Sequence, residues 1–288
     1  MVAIFLILLA IRLDVFSSLA SRFPEGKEKK NHAASASETW LSISQSGKKI
    51  GYAHRILTPV AGGYALRDDV FMRINTMGVV QGLTLETRGT LNADMSLAAF
   101  QVRLMSNLFR FQARGECAGR KMTLWIGEAG EEKAYRLELK EVPYLAGSMA
   151  DAAFRAGMKS GEAQTFNMFD PASMGVRPVK VSLLGEETLP VDGRQQRIKK
   201  FSVDFMGARQ IAWLDEQGRI VREEGILGLV MERVSREDAM EGIAAGSIAD
   251  MTELASVAAN LVIQDPATLP ELKIKISGID GERFFLDG

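Results

Sequence analysis

The stretch FSVDFMGARQIAWLDEQGRIVREEG, residues 201–225, decides the fold class. Ile211 and Trp213 stand two apart and mark one strand. DEQG at 215–218 supplies a polar turn, with Gly218 free to adopt a positive φ. Ile220 begins the return strand, and Val221 lies across the pleat from it. This is a β-hairpin with cover on both faces. A tryptophan inside such a hairpin reads first as core and second as the wall of a ligand site.

The same period of two extends outward in both directions. Leu41 and Ile43 alternate with Trp40, Ser42 and Ser44, and Ile50 and Tyr52 continue the pattern beyond an SGKK turn. Val70, Met72 and Ile74 share a face, as do Phe100, Val102 and Leu104. Phe109, Phe111 and Ala113 point one way, with Arg110, Gln112 and Arg114 opposite. Met122, Leu124 and Ile126 follow, and Val179, Val181 and Leu183 repeat the alternation further on. A sheet with one dry face and one wet face produces this pattern. Two places break it. Leu145, Met149, Ala152, Ala153 and Ala156 fit a short amphipathic helix. Ser235, with Asp238 three residues on, caps the start of another helix over 235–248. Leu272, Ile274 and Ile276 return to strand spacing. The expected architecture is mainly β: an extended curved antiparallel sheet, or a partly closed barrel or sandwich, with a few short helices. Residues 39–278 make up this β-rich region, either as one domain or as two subdomains meeting near residue 145, and 279–288 form a tail.

The 288 residues are 47% hydrophobic, enough for a sizeable core. Thirty-five basic and 36 acidic side chains give a net charge of −1 with no basic stripe, which argues against nucleic acid as a partner. Cys117 is the single cysteine, so no intrachain disulfide forms. The N-terminus opens with MVAIFLILLAI, broken at Arg12 and Asp14, and SRFPEGKEKKNHAASASE at 21–38 has the composition of an exposed tether. Residues 1–20 are therefore expected to be a signal or anchor segment. Against this, the run is short for a membrane span and lacks a basic n-region.

No constellation of reactive residues stands out. His32, His54 and Cys117 are scattered, and there is neither an HExxH nor a paired CxxC, so no metal and no cofactor are expected. No GxSxG elbow is present. The adjacent acids Asp68–Asp69, Glu186–Glu187, Asp215–Glu216 and Glu223–Glu224 point to opposite faces if they lie on strands, so no such pair forms an acid–base couple by itself. Cys117 with His54 is the one thiol–imidazole pair that can be drawn, for a hydrolase or acyl transferase.

Four phrases carry a resemblance: ETWLSISQSGKKIGYAH, FDPASMGVRPVKVSLLG, IAWLDEQGRIVREEGILGLVMER and LVIQDPATLPELKIKISG. In their order and spacing, over residues 38–278, the chain resembles the N-terminal region of bacterial extracytoplasmic transglutaminase-like proteins. WLDEQGRIVREEG is also similar to β-rich domains of unknown function in bacterial envelope proteins. In the transglutaminase-like family a papain-like core with cysteine, histidine and aspartate follows this region. This chain matches none of that core's motifs. The resemblance thus implies a non-catalytic accessory domain, or a half whose catalytic part is encoded separately, on the periplasmic side of the inner membrane.

Three functions remain open at this point. The first is a non-catalytic envelope module that binds a protein, a peptide or a lipid-like ligand, with inner-membrane association through the N-terminal segment. Its candidate lining residues are Trp40, Tyr52, Phe71, Phe109, Phe111, Trp125 and Trp213, each equally compatible with core packing. The second is the Cys117–His54 enzyme. The third is a scaffold for a separate catalytic subunit.

Overall fold

The computed structural model describes residues 36–243, except 77, 129, 171–174, 192, 206 and 207. The expected anchor, most of the tether, and the strand and tail beyond 243 lie outside the described residues. Hairpins dominate what is described. The first run comprises β1 (Ser37–Gln45), β2 (Lys48–Val60), β3 (Gly63–Thr76), β4 (Val79–Asn92), β5 (Leu97–Ser106), β6 (Arg110–Ala118), β7 (Lys121–Ile126) and β8 (Lys133–Glu138). The second comprises β9 (Ala163–Asp170), β10 (Gly175–Val191), β11 (Arg194–Phe205), β12 (Ala208–Leu214), β13 (Ile220–Glu224) and β14 (Leu229–Val234).

All of these strands join one antiparallel sheet, ordered β8-β7-β6-β5-β4-β3-β2-β1-β14-β13-β12-β11-β10-β9. The chain enters at the middle with β1, works out to one edge at β8, crosses to the other edge at β9 and works back. β14 then closes against β1, with Ile43 opposite Met231. Residue 145 lies on the crossing between the two edges of this one sheet.

That crossing runs along the inside of the curve. Leu97 N–H donates to the Pro143 carbonyl at 2.8 Å, and Tyr144 N–H donates to the Asn167 carbonyl at 2.7 Å. A 3-10 turn at Ala146–Ser148 leads into helix α1 (Met149–Arg155), shorter than the period of small residues implies. Leu145, Met149, Ala152 and Ala153 are buried in the main core. The sheet is bent far enough that Phe100 of β5 meets Phe169 of β9, ring centres 5.4 Å apart, although β8 and β9 are not paired. The result is an extended, strongly curved sheet rather than a closed barrel. The second helix, α2 (Arg236–Met240), starts as expected: Asp238 N–H donates to Ser235 Oγ at 3.0 Å.

The opening hairpin forms as its sequence indicates. β12 and β13 flank a turn in which Gly218 has φ +76°. Asp215, wholly buried, accepts from the N–H groups of Gln217 and Arg219 and from the side chains of Arg219 and Arg233, all at 2.9–3.0 Å. Trp213 does not reach the main core. It is buried on the outer face in a small cluster with Val191 and Ile198, where its indole N–H donates to Glu187 at 3.2 Å. One alternation also differs from expectation. β1 pairs Ile43 with Gly51 and Ser44 with Lys49, so Ile50 is an extra residue. This bulge turns Ile50 into the core and leaves Tyr52 on the outer face beside Trp40.

The bend depends on bare backbone at β6. A Cβ on Gly115 would fall 2.4 Å from the Phe100 ring, which itself touches Phe169. Gly115→Ala is expected to lower unfolding free energy by about 1–3 kcal/mol, the usual range for overpacking, as read from urea titration.

Candidate functional site

Inner-face side chains from both runs of strands leave a cavity of about 180 Å³. Its walls are mostly apolar: Leu41, Ile43, Val70, Met72 and Leu85 from the first run, Val203, Ala212, Leu229 and Met231 from the second, and Leu145 and Met149 from the crossing segment. Into this wall project Arg55, Asp68, Gln210 and Glu223.

Each polar residue takes its place through strand parity. Ala53, Arg55 and Leu57 alternate inward along β2, and Leu66, Asp68 and Val70 do so along β3. Arg55 and Asp68 are direct cross-strand partners. Glu223 turns inward by another route. Leu214 pairs with Ile220 but Trp213 pairs with Arg222, so Val221 is an extra residue that shifts the phase. Glu223 then lies opposite Ala212 and Met231, both on the cavity wall, and accepts from the Gln210 amide at 3.1 Å.

Asp151 of α1 completes the group. Arg55 donates to it at 2.6 Å, and the two residues are only 7% and 6% exposed. Burial works against the Arg55 charge, yet Asp151, Asp68 and Glu223 outweigh it and hold the guanidinium above its ordinary value. Burial pushes the Asp151 carboxyl up, and the guanidinium in contact with it pulls the other way. Burial also pushes Asp68 and Glu223 up from the ordinary carboxylate range, against the pull of nearby positive charge that includes Arg55. Both keep part of their surface open, and among the described residues neither has a cation in salt-bridge contact. Their neighbours Asp69 and Glu224 face outward, where Asp69 pairs with Arg67 and Arg88, and Glu224 with Arg222.

None of the seven aromatic candidates lines this cavity. The structure does bring three of them together on the outer face. Trp40 and Tyr52 are 6.1 Å apart and Tyr52 and Phe71 are 5.8 Å apart, with His54 stacked on Trp40 at 3.8 Å. His54 also bonds Glu38 at 2.8 Å, and that bond holds the Glu38 carboxyl below its ordinary range. Phe109 and Phe111 pack against the main core away from the cavity. Trp125 lies under the Arg114 guanidinium at 3.9 Å, and Trp213 is in the outer cluster already described.

The thiol–imidazole pair does not assemble. Cys117 on β6 packs toward the core, whereas His54 on β2 lies on the opposite face with three strands between them. Burial pushes the Cys117 thiol up to about 11, the reverse of what a nucleophile needs. Among the described residues, no three His, Cys, Asp or Glu side chains are placed to share a metal ion. No helix of the described residues is long and apolar enough to cross a membrane.

The sequence signal for the polar group was a charge standing in an apolar phase. Arg55 and Asp68 each occupy a position where their strand otherwise places aliphatic residues. Because the folded-state carboxyls of Asp68 and Glu223 are raised, their neutral forms suit the fold. Their contribution is fully present below the unfolded carboxylate range and is lost as pH rises through the folded values. Asp68→Asn, which fixes the neutral form, is therefore expected to gain stability relative to wild type progressively as pH rises above the unfolded carboxylate value of about 4. Urea midpoints at rising pH measure the effect.

No protein-family model matches the chain, and no curated protein matches it. Among solved structures, it is similar to a β-barrel-like protein of the domain of unknown function DUF1849 from Brucella abortus. The TM-score is 0.51 at 13% identity, over 69% of this chain and 95% of that one. A DUF1089 family protein from Pseudomonas aeruginosa is matched over 70% of this chain and 95% of that one, with a TM-score of 0.38 at 11% identity. The likeness to the Brucella protein is one of fold.

Proposed function

We propose that this chain is a non-catalytic binding module of the bacterial cell envelope that encloses a small, largely apolar ligand in the cavity between its two runs of strands. The observation that carries the reading is the 180 Å³ space itself, walled by aliphatic side chains from both runs and from the crossing segment. A dry cavity of about 150 Å³ is enough to take up benzene, so this space suits a ligand of one ring or a short chain. The envelope location rests on the apolar run that begins the sequence, the polar stretch after it, and the resemblance to the N-terminal region of extracytoplasmic transglutaminase-like proteins.

An enzyme built on Cys117 and His54 has less support, because the two side chains lie on opposite faces of the sheet. The scaffold reading makes no use of the cavity and is separated from the binding reading by experiment. Toluene, followed by ligand-observed NMR, is expected to bind the full chain saturably. Ala212→Leu, which adds bulk to the cavity wall, is expected to keep the circular dichroism spectrum and lose that binding. Absence of toluene binding to the wild type, or equal binding to the filled variant, would leave the scaffold reading. For location, an alkaline phosphatase fusion at the C-terminus of the full chain is expected to be active in a bacterial host, since that enzyme matures only after export. An inactive fusion that is nonetheless expressed would place the chain inside the cell.

A further inference from the structure

We propose that the ligand held in this cavity is a small amphipathic amine, its ammonium group between Asp68 and Glu223 and its apolar part along the wall. The inference rests on the binding reading and adds the chemistry of the ligand's head.

The argument begins with a count of charge. Arg55 is the one cation on the cavity wall among the described residues, and Asp151 occupies it at 2.6 Å. Asp68 and Glu223 then remain as two carboxyls facing the same space from β3 and β13, each half-buried among apolar side chains. Gln210, through its amide NH₂, gives Glu223 a neutral donor only. Among the described residues, the charged groups around Asp68 are Arg55 on β2, Asp151 on α1, Glu223 on β13 and its own neighbour Asp69, which is engaged by Arg67 and Arg88 on the outer face. Among the described residues, Glu223 faces Arg55, Asp68 and Asp151.

An anionic ligand in this space would face two carboxyls and a guanidinium already in use. A neutral apolar ligand would fit the wall but leave both carboxyls in an environment that disfavours their charge. An ammonium group resolves this. It supplies up to three donors, and its charge allows Asp68 and Glu223 to ionise without desolvated repulsion between them. Burial pushes both carboxyls up in the free protein, and a cation bound between them would pull the other way, so binding is expected to be linked to proton release.

The test compares benzylamine with benzyl alcohol, which differ chiefly in the charge of the head group, by calorimetry on the full chain. At pH 8 benzylamine is expected to bind about tenfold tighter, within what one charged hydrogen-bonded contact provides. Its advantage is expected to shrink toward pH 5, and its binding heat at an intermediate pH is expected to vary with the buffer's ionisation enthalpy, which reports proton release. Asp68→Asn is expected to abolish the advantage while benzyl alcohol still binds. Glu223→Gln provides the same comparison if the first variant does not fold. Equal affinities of the two probes for the wild type would overturn the amine inference and leave the cavity reading intact. Failure of both probes to bind would overturn both. An advantage that persists unchanged in the folded variants would place the ammonium elsewhere and overturn the assignment to Asp68 and Glu223.

Discussion

The Arg55–Asp151 pair is the contact on which the interior depends. It ties helix α1 on the crossing segment to β2 near the middle of the sheet. It is the buried ion pair of the crossing, whereas Arg155 at the far end of α1 meets Tyr64 of β3 near the surface. Two opposite charges buried at 2.6 Å are not in themselves a large source of stability, since much of their attraction offsets lost hydration. Their value is directional. Either partner left alone in that apolar surround would be costly, so the pair strongly disfavours arrangements in which α1 docks elsewhere. The apolar residues Leu145, Met149 and Ala153 bring the segment to the core without specifying where along the sheet it lands. Together with the backbone bonds at Pro143 and Tyr144, the ion pair specifies the position, and thereby the roof of the cavity.

The fold was written plainly in the sequence because a half-buried antiparallel sheet repeats its signal at every second residue. Phe100, Val102 and Leu104, and again Val179, Val181 and Leu183, appear on one face just as their spacing requires. Bulges were not legible. An extra residue leaves no mark in composition, yet those at Ile50 and Val221 decide which side chains face inward beyond them. Tyr52 and Glu223 both owe their faces to such insertions. The edge-to-edge crossing was only half visible. Its helical period could be read at 145–156, but its position between β5 and β9 arises from long-range backbone bonds at Pro143 and Tyr144.

The cavity was hidden for a related reason. The sequence offers its aromatic residues as candidate walls, and the structure places Trp40, Tyr52, Phe71, Trp125 and Trp213 on the outer face, where they cover cross-strand neighbours or meet cations. The cavity is instead bounded mainly by aliphatic side chains. Its distinctive groups come from acid pairs that looked uninformative. Alternation sends Asp69 out to its arginines and Asp68 in to the cavity, so each pair holds one ordinary surface charge and one that matters for the interior.

The order of the strands also bears on how the chain is made. β1 is among the first strands to emerge from the ribosome, but one of its two neighbours is β14, and the Ser44–Val230 contact spans 186 residues. Each run of hairpins can zip up locally as it appears. Throughout that time the first run carries a long bare edge at what will become the centre of the sheet, with main-chain donors and acceptors open to any passing strand. Completion of the molecule is thus a late seam between two prefolded halves. The nascent protein is most exposed to mispairing in the interval before that seam closes, which is when a holding chaperone would have the most to do.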